Sequence, residues 1–358
     1  METVPKQRFY EIDLLRFFAA LSVVLFHYGF RGYAADNMTV MPYLSIASLA
    51  KYGYLGVNLF FIISGFVILM TASSGSARRF VVSRAVRLYP AFWACCTMTF
   101  IAIIVAGGRR YSASLRQYAI NMTMLSEFIG VEPIDGAYWS LFVEMKFYAL
   151  VFAVLLIRKI HRAKELLGLW LVVVLLFSKW PIRYVGFFLI PDFAPYFIAG
   201  AMFYIIHAEG VCAYKLFVIA TSYLVAVRES ISRISGMETH YHSPFDGTVV
   251  AIILAVCFSI LFLVATGRTK PFASEKWLLC GALTYPLYLI HQNIGFIMFN
   301  LAYPHLNPHI VLFGTLAIVL FMAYLVNKKV EKVYSRPMKV LIERLLGIRL
   351  KLLTNGST

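Results

Sequence analysis

The chain has 358 residues, of which 61% are hydrophobic and 14% charged, and it carries a formal net charge of +16. Soluble domains hold about 45–50% apolar and about 25% charged residues, so this composition excludes one and leaves an integral membrane protein. The basic residues fall in short clusters between apolar runs and form no basic domain, which excludes a nucleic-acid binder and fits membrane topology.

Apolar stretches of about 20 residues, the length a helix needs to cross hydrocarbon, recur throughout. They predict an all-α polytopic fold of about ten transmembrane helices, near 12–30, 54–71, 89–106, 138–157 and 166–178, then 187–206, 212–226, 245–265, 277–300 and 310–326. The polar N-terminus has no signal-peptide pattern, so the first span is expected to stay in the mature chain. The fifth span is short, and Pro191, Asp192 and Pro195 mark the sixth for a break or tilt. The connecting segments, taken alternately, divide Lys and Arg 22 to 9, which puts both termini on the cytoplasmic side. A membrane domain over 1–334 is followed by a tail, 335–358, where Lys339, Arg344, Arg349 and Lys351 mix with Leu, Ile and Met. That pattern predicts a basic amphipathic helix on the inner leaflet. The five cysteines have no CxxC or Cys/His spacing and read as small hydrophobes.

Some polar residues stand where they are expensive. Arg16 lies inside the first span, where an arginine costs about 2.5–3.5 kcal/mol at mid-membrane. His27 follows eleven residues later, on the same helical face and about 16 Å along the axis. Asp13 lies one turn before Arg16 and is expected to pair with it. Depth counting at 1.5 Å per residue then puts His27, Asn58, Glu144 and His291, from four helices, in one layer of the outer half. An imidazole with a carboxylate suits general acid–base chemistry, and it equally suits a proton or ion path. Arg84 and Arg87, on one face at the inner end of the third span, suit phosphate oxygens and serve topology as well. Ser64, in "ISGF", reads as part of a small-residue packing face rather than as a nucleophile. His240, His242 and Asp246 form an outer cluster, but two loop histidines are a weak zinc signal and no metal is expected.

Four stretches together resemble acyltransferase family 3: "RFYEIDLLRFFAALSVVLFHY" (8–28), "GYLGVNLFFIISGFVI" (53–68), "SRAVRLYPAFW" (83–93) and "AYWSLFVEMKFY" (137–148). "YPLYLIHQ" (285–292) is similar to the family's late motif. The resemblance implies a multi-pass protein of the bacterial cytoplasmic membrane that moves an acyl group, usually acetyl from acetyl-CoA, onto a sugar hydroxyl. Acetyl-CoA would be a co-substrate, with no permanently bound cofactor, and an exopolysaccharide or lipopolysaccharide the acceptor. It places the family's Arg-x10-His pair on Arg16 and His27, its paired arginines on Arg84 and Arg87, and its Trp-Ser-Leu…Glu motif on Trp139, Ser140 and Glu144. Asn58 stands where many relatives have an acid, and Met145-Lys146 replaces a more acidic pair.

On this reading Arg84 and Arg87 hold the phosphates of acyl-CoA. Arg16, oriented by Asp13, supports the pantetheine arm or a phosphate. His27 acts as general base or transient acyl acceptor, with Glu144 orienting it. Trp139, Ser140, Asn58, Tyr288 and His291 are acceptor-side or supporting residues. The competing reading is a proton-coupled transporter or flippase of a glycan-related substrate, with Asp13, Arg16, His27 and Glu144 as its path.

Overall fold

The computed structural model describes residues 8–35, 37–177 and 183–347, and the described residues are helical without a strand. Five long helices come first: α1 (Tyr10–Phe26), α2 (Leu55–Ala72), α3 (Ala77–Ala106), α4 (Trp139–Leu156) and α5 (Ala163–Phe177). Five more follow, α6 (Ala194–Glu209), α7 (Ala213–Ser232), α8 (Gly247–Ala265), α9 (Trp277–Ala302) and α10 (Pro308–Val326). Each overlaps one expected span. Six stretches are long and apolar enough to cross a membrane by length and composition: Tyr10–Ala34, Leu55–Ala72, Ala77–Ala106, Gly136–Leu156, Gly247–Ala265 and Pro308–Leu345. The other four helices fall short for identifiable reasons. α5 and α6 have 15 and 16 residues, α7 carries Lys215, Arg228 and Glu229, and α9 dilutes its apolar run with Thr, Tyr, His, Gln and Asn.

The sixth expected span is broken where its prolines fall. A short helix, Arg183–Leu189, ends before Pro191, and α6 restarts at Ala194 with Pro195 in its first turn, the helical position that proline tolerates. Ser178, the last residue of the fifth expected span, lies outside the described residues.

The centre is built from α1, α2, α6 and α9. α2 packs against α6 and α1, α1 packs against α9, and α9 against α3 and α10. α4 leans on α2 and α3, while α5, α7 and α8 surround α6. Small residues let α2 and α6 nearly touch. A Cβ on Gly200 would stand 1.8 Å from the Ile62 carbonyl oxygen, and one on Gly65 would stand 2.2 Å from that of Phe197. Gly65, next to Ser64 in "ISGF", therefore does carry a packing role.

Two π turns interrupt the α-helical pattern. α1 runs on through His27–Arg31, where the Gly32 N–H returns to the His27 carbonyl. A second turn, Asn327–Glu331, joins α10 to α11 (Lys332–Leu345). Such single-turn π-bulges are frequent at functional sites. Pro308–Leu345 is thus one helical rod, and the expected domain boundary at 334/335 falls inside it. α11 packs on α3 and exposes Val333, Tyr334, Leu341 and Leu345 beside Lys339 and Arg344. Arg349 and Lys351 of the expected tail lie outside the described residues.

Candidate active site

Two cavities lie one above the other along the same helices. The first, about 160 Å³, takes Arg16 from α1, Ser64 from α2, Arg84 and Arg87 from α3, and Ser140 and Glu144 from α4. The second, about 290 Å³, takes His27 and Arg31 from the continuation of α1, Asn58 from α2, and Trp139 from the start of α4. Asp192, Tyr196, Arg233 and Tyr241 complete its far wall. Val57 and Tyr288 line both cavities, so they form the partition between them.

The first cavity is strongly basic. The Nε atoms of Arg16 and Arg84 are buried and have no hydrogen-bond partner among the described residues. Arg84 gives one terminal nitrogen to Ser83 Oγ at 3.0 Å and lies over the Tyr148 ring. Arg87 is already neutralised by Glu331 at 3.1 Å, and Asn327 holds the other oxygen of that carboxylate at 2.6 Å. The second π turn therefore exists beside this cavity and supplies the acid that orients Arg87.

Two expected pairings are corrected here. Asp13 does not hold Arg16: Arg8, just before α1, occupies it with two bonds of 3.0 and 3.1 Å. Glu144 does not reach His27 either. It accepts a 2.5 Å hydrogen bond from Ser64 Oγ and faces the arginine cavity. Glu144 lies one turn beyond Ser140 on α4, in the arginine cavity, so it does not share the layer of His27, Asn58 and His291.

His27 is buried in the second cavity, and its surroundings define its tautomer. Its Nδ1 lies 2.8 Å from the Val23 carbonyl oxygen, which only accepts, so Nδ1 carries the proton. His291 Nδ1 likewise lies 2.8 Å from the Tyr288 carbonyl, which leaves His291 Nε2 as a lone pair 3.2 Å from His27 Nδ1. His27 Nδ1–H is thus shared between a carbonyl and a second imidazole. The lone pair of His27 is on Nε2, the geometry a general base needs. Tyr288 and Ser140 share a 2.6 Å hydrogen bond, and Asn58 lines the cavity without a bond to His27.

The family model described as an acyltransferase domain, acyltransferase family 3, matches residues 9–327. The chain belongs to acyltransferase family 3. Nodulation protein 10 of Rhizobium leguminosarum bv. viciae is 30% identical over 155 residues, a segment that covers 38% of this chain and 41% of that protein. The chain therefore spans less than half the length of that curated relative. No solved structure matches.

In this family member the structure also brings in residues that the sequence reading did not single out. Arg31 donates to His27 Nε2 at 3.2 Å and to Gln292 Oε1 at 3.4 Å. It follows His27 by four residues, a spacing that shares a helical face, and that was the available signal. Asp135 is fully buried and receives the backbone N–H groups of Ala137 and Asn293, each at 2.9 Å, which ties the start of α4 to α9. Nothing in its loop sequence marks it. Among the described residues no group of three or more His, Cys, Asp or Glu side chains is placed to hold a metal. Of the outer cluster, Asp246 caps α8 through the Thr248 N–H at 2.7 Å.

Proposed function

We propose that this protein is a membrane-bound O-acyltransferase that moves an acyl group, in the simplest case acetyl, from cytoplasmic acyl-CoA to a hydroxyl of a cell-envelope glycan. The observation that carries the reading is the pair of cavities meeting at Val57 and Tyr288, one lined by arginines and the other by a histidine whose lone pair is on Nε2, beside Arg31. Two buried guanidinium groups with unsatisfied Nε–H call for an anion, and the phosphates of CoA supply it. Family membership favours an acyl group as the cargo, and the polar, aromatic-lined second cavity fits a sugar.

In this scheme Arg16 and Arg84 bind the donor, and Arg87, steadied by Glu331, completes the basic wall. The flexible pantetheine arm carries the thioester past Val57 and Tyr288. His27 Nε2 takes the proton of the acceptor hydroxyl as its oxygen attacks the thioester carbon. The C–S bond then breaks, and the CoA thiolate recovers that proton from the imidazolium. His291 holds His27 Nδ1–H and so keeps the lone pair aimed at the acceptor. Glu144, bonded to Ser64, balances the arginine charge instead of touching His27.

The test uses membranes of the expressing bacterium, which contain the native envelope glycans. Wild type should move radiolabel from acetyl-CoA into extracted glycan, and His27→Ala should lose that transfer while keeping wild-type protein levels in the membrane. Undiminished transfer by His27→Ala removes His27 from catalysis. Ion-coupled flux of a glycan precursor without consumption of acyl-CoA moves the assignment to a transporter.

A further inference from the structure

Arg31 stands in a position that the donor-and-base scheme does not use. Its terminal nitrogen is 3.2 Å from His27 Nε2, the one lone pair that the His27 ring offers to the cavity. His27 and Arg31 open and close the π turn, and at four residues apart their side chains lie on one face. A second bond, to Gln292 on α9, anchors the same nitrogen from the opposite side. A hydroxyl that is to lose its proton to Nε2 must occupy the place where Arg31 now donates.

We propose that Arg31 is a catalytic residue with two successive partners: it caps His27 Nε2 in the resting enzyme, and after the acceptor hydroxyl displaces it, it donates to the oxyanion of the thioester addition intermediate. This rests on the acyltransferase reading above. The displaced guanidinium stays within reach of the reacting centre, since Gln292 keeps it tethered. As the acceptor oxygen bonds to the thioester carbon, the C=O pair moves onto oxygen, and Arg31 donates to that negative oxygen. When the carbonyl re-forms, the C–S bond breaks and the thiolate leaves with the proton from His27 Nε2. Arg31 then returns to the freed lone pair. The cap also keeps an unoccupied site from presenting a bare base to water.

Two substitutions of similar length separate donation from bulk. Arg31→Lys retains a cationic donor, while Arg31→Met retains only the chain. Two readouts are taken on membranes containing the full-length protein. One is the initial rate of glycan acetylation at varied acetyl-CoA. The other is carbethoxylation of His27 by diethyl pyrocarbonate, which attacks an imidazole lone pair and is located by mass spectrometry. Arg31→Met should lower kcat about 100-fold, the size of effect that follows loss of one oxyanion donor, with KM for acetyl-CoA within about threefold. In the same variant His27 should carbethoxylate several-fold faster than in wild type. Arg31→Lys should stay slow to label and recover about a tenth of the wild-type rate. Equal labelling of His27 in the Met and Lys variants overturns the cap, whether or not the protein consumes acyl-CoA. Faster labelling with unchanged kcat overturns the oxyanion role. If wild type transfers no acyl group, the oxyanion role falls with the acyltransferase reading, and the labelling contrast alone decides the cap.

Discussion

The guanidinium groups around the two cavities differ in what they bond, and that decides what each is free to do. Arg87 is spoken for by Glu331, whereas Arg16 and Arg84 keep buried N–H groups unmet. A hydrogen bond to a charged group contributes about 1.5–3 kcal/mol, so one such donor is worth about tenfold to a hundredfold in affinity. Arg84→Gln should therefore raise KM for acetyl-CoA at least tenfold while leaving kcat within a few-fold, as measured by radiolabel transfer at saturating and limiting donor. A fall in kcat at unchanged KM would assign Arg84 to the chemistry instead of the donor. At this scale the sequence was informative about which residues matter and less so about whom they touch. Arg16 stood out because charge is costly inside a span, His27 because it shares the face of Arg16, and Arg84 and Arg87 as a pair of arginine forks beside a span. The pairs Asp13–Arg8 and Glu144–Ser64 did not, because Arg8 stands before the helical repeat and Ser64 comes from another helix.

At the scale of elements, the alternation of apolar runs and charged connectors made every long helix legible. The break before α6 was legible too, because proline lacks the N–H that would continue a helix. The π turns were not, since an extra residue in one turn leaves the hydrophobic pattern almost intact. Helix proximity can be tested at the α2–α6 crossing. Gly200→Ala puts a methyl group 1.8 Å from the Ile62 carbonyl, a clash with backbone that no side-chain rotation relieves. Overpacking of this kind costs about 1–3 kcal/mol. The variant should melt several degrees below wild type in detergent, and an unchanged melting temperature would mean that the two helices do not approach so closely.

The loop before α4 gives a second test at this scale. Burial pushes the Asp135 carboxyl up to about 6, although two backbone N–H groups favour its charged form. A folded-state pKa above the unfolded value means that the folded protein binds this proton more tightly, so the residue's contribution to stability grows as pH falls through 6. The melting temperature of wild type minus that of Asp135→Asn should accordingly rise between pH 7 and pH 5. A difference that shrinks instead would show the two hydrogen bonds outweighing burial.

For the whole molecule, the two cavities matter only if they open toward opposite sides of the bilayer, and that is a question of orientation. From the excess of Lys and Arg, the segments before α3 and after α6 are expected on the cytoplasmic side. The structure groups these segments at one end: Tyr204, late in α6, bonds Ser73 at the end of α2, and His207 meets Phe9, just before α1, edge to face. The connector before α8 is at the other end, where Lys51 bonds the Pro244 carbonyl and Tyr52 receives the Asp246 N–H. Nature supplies one reporter in the first group. Cys212 is exposed just beyond α6, while Cys95, Cys96 and Cys257 are buried and Cys280 is only partly exposed, so labelling is located by mass spectrometry. A membrane-impermeant maleimide should label Cys212 only after the membrane is opened. In a Cys212→Ser background, Thr239→Cys, exposed at the opposite end, should react in intact cells. The reverse pattern would turn the arginine cavity toward the outside, where no acyl-CoA is found. It would sink the donor assignment even with every residue in its present place, because the chemistry of Arg16 and Arg84 has meaning only on the side where the phosphates are.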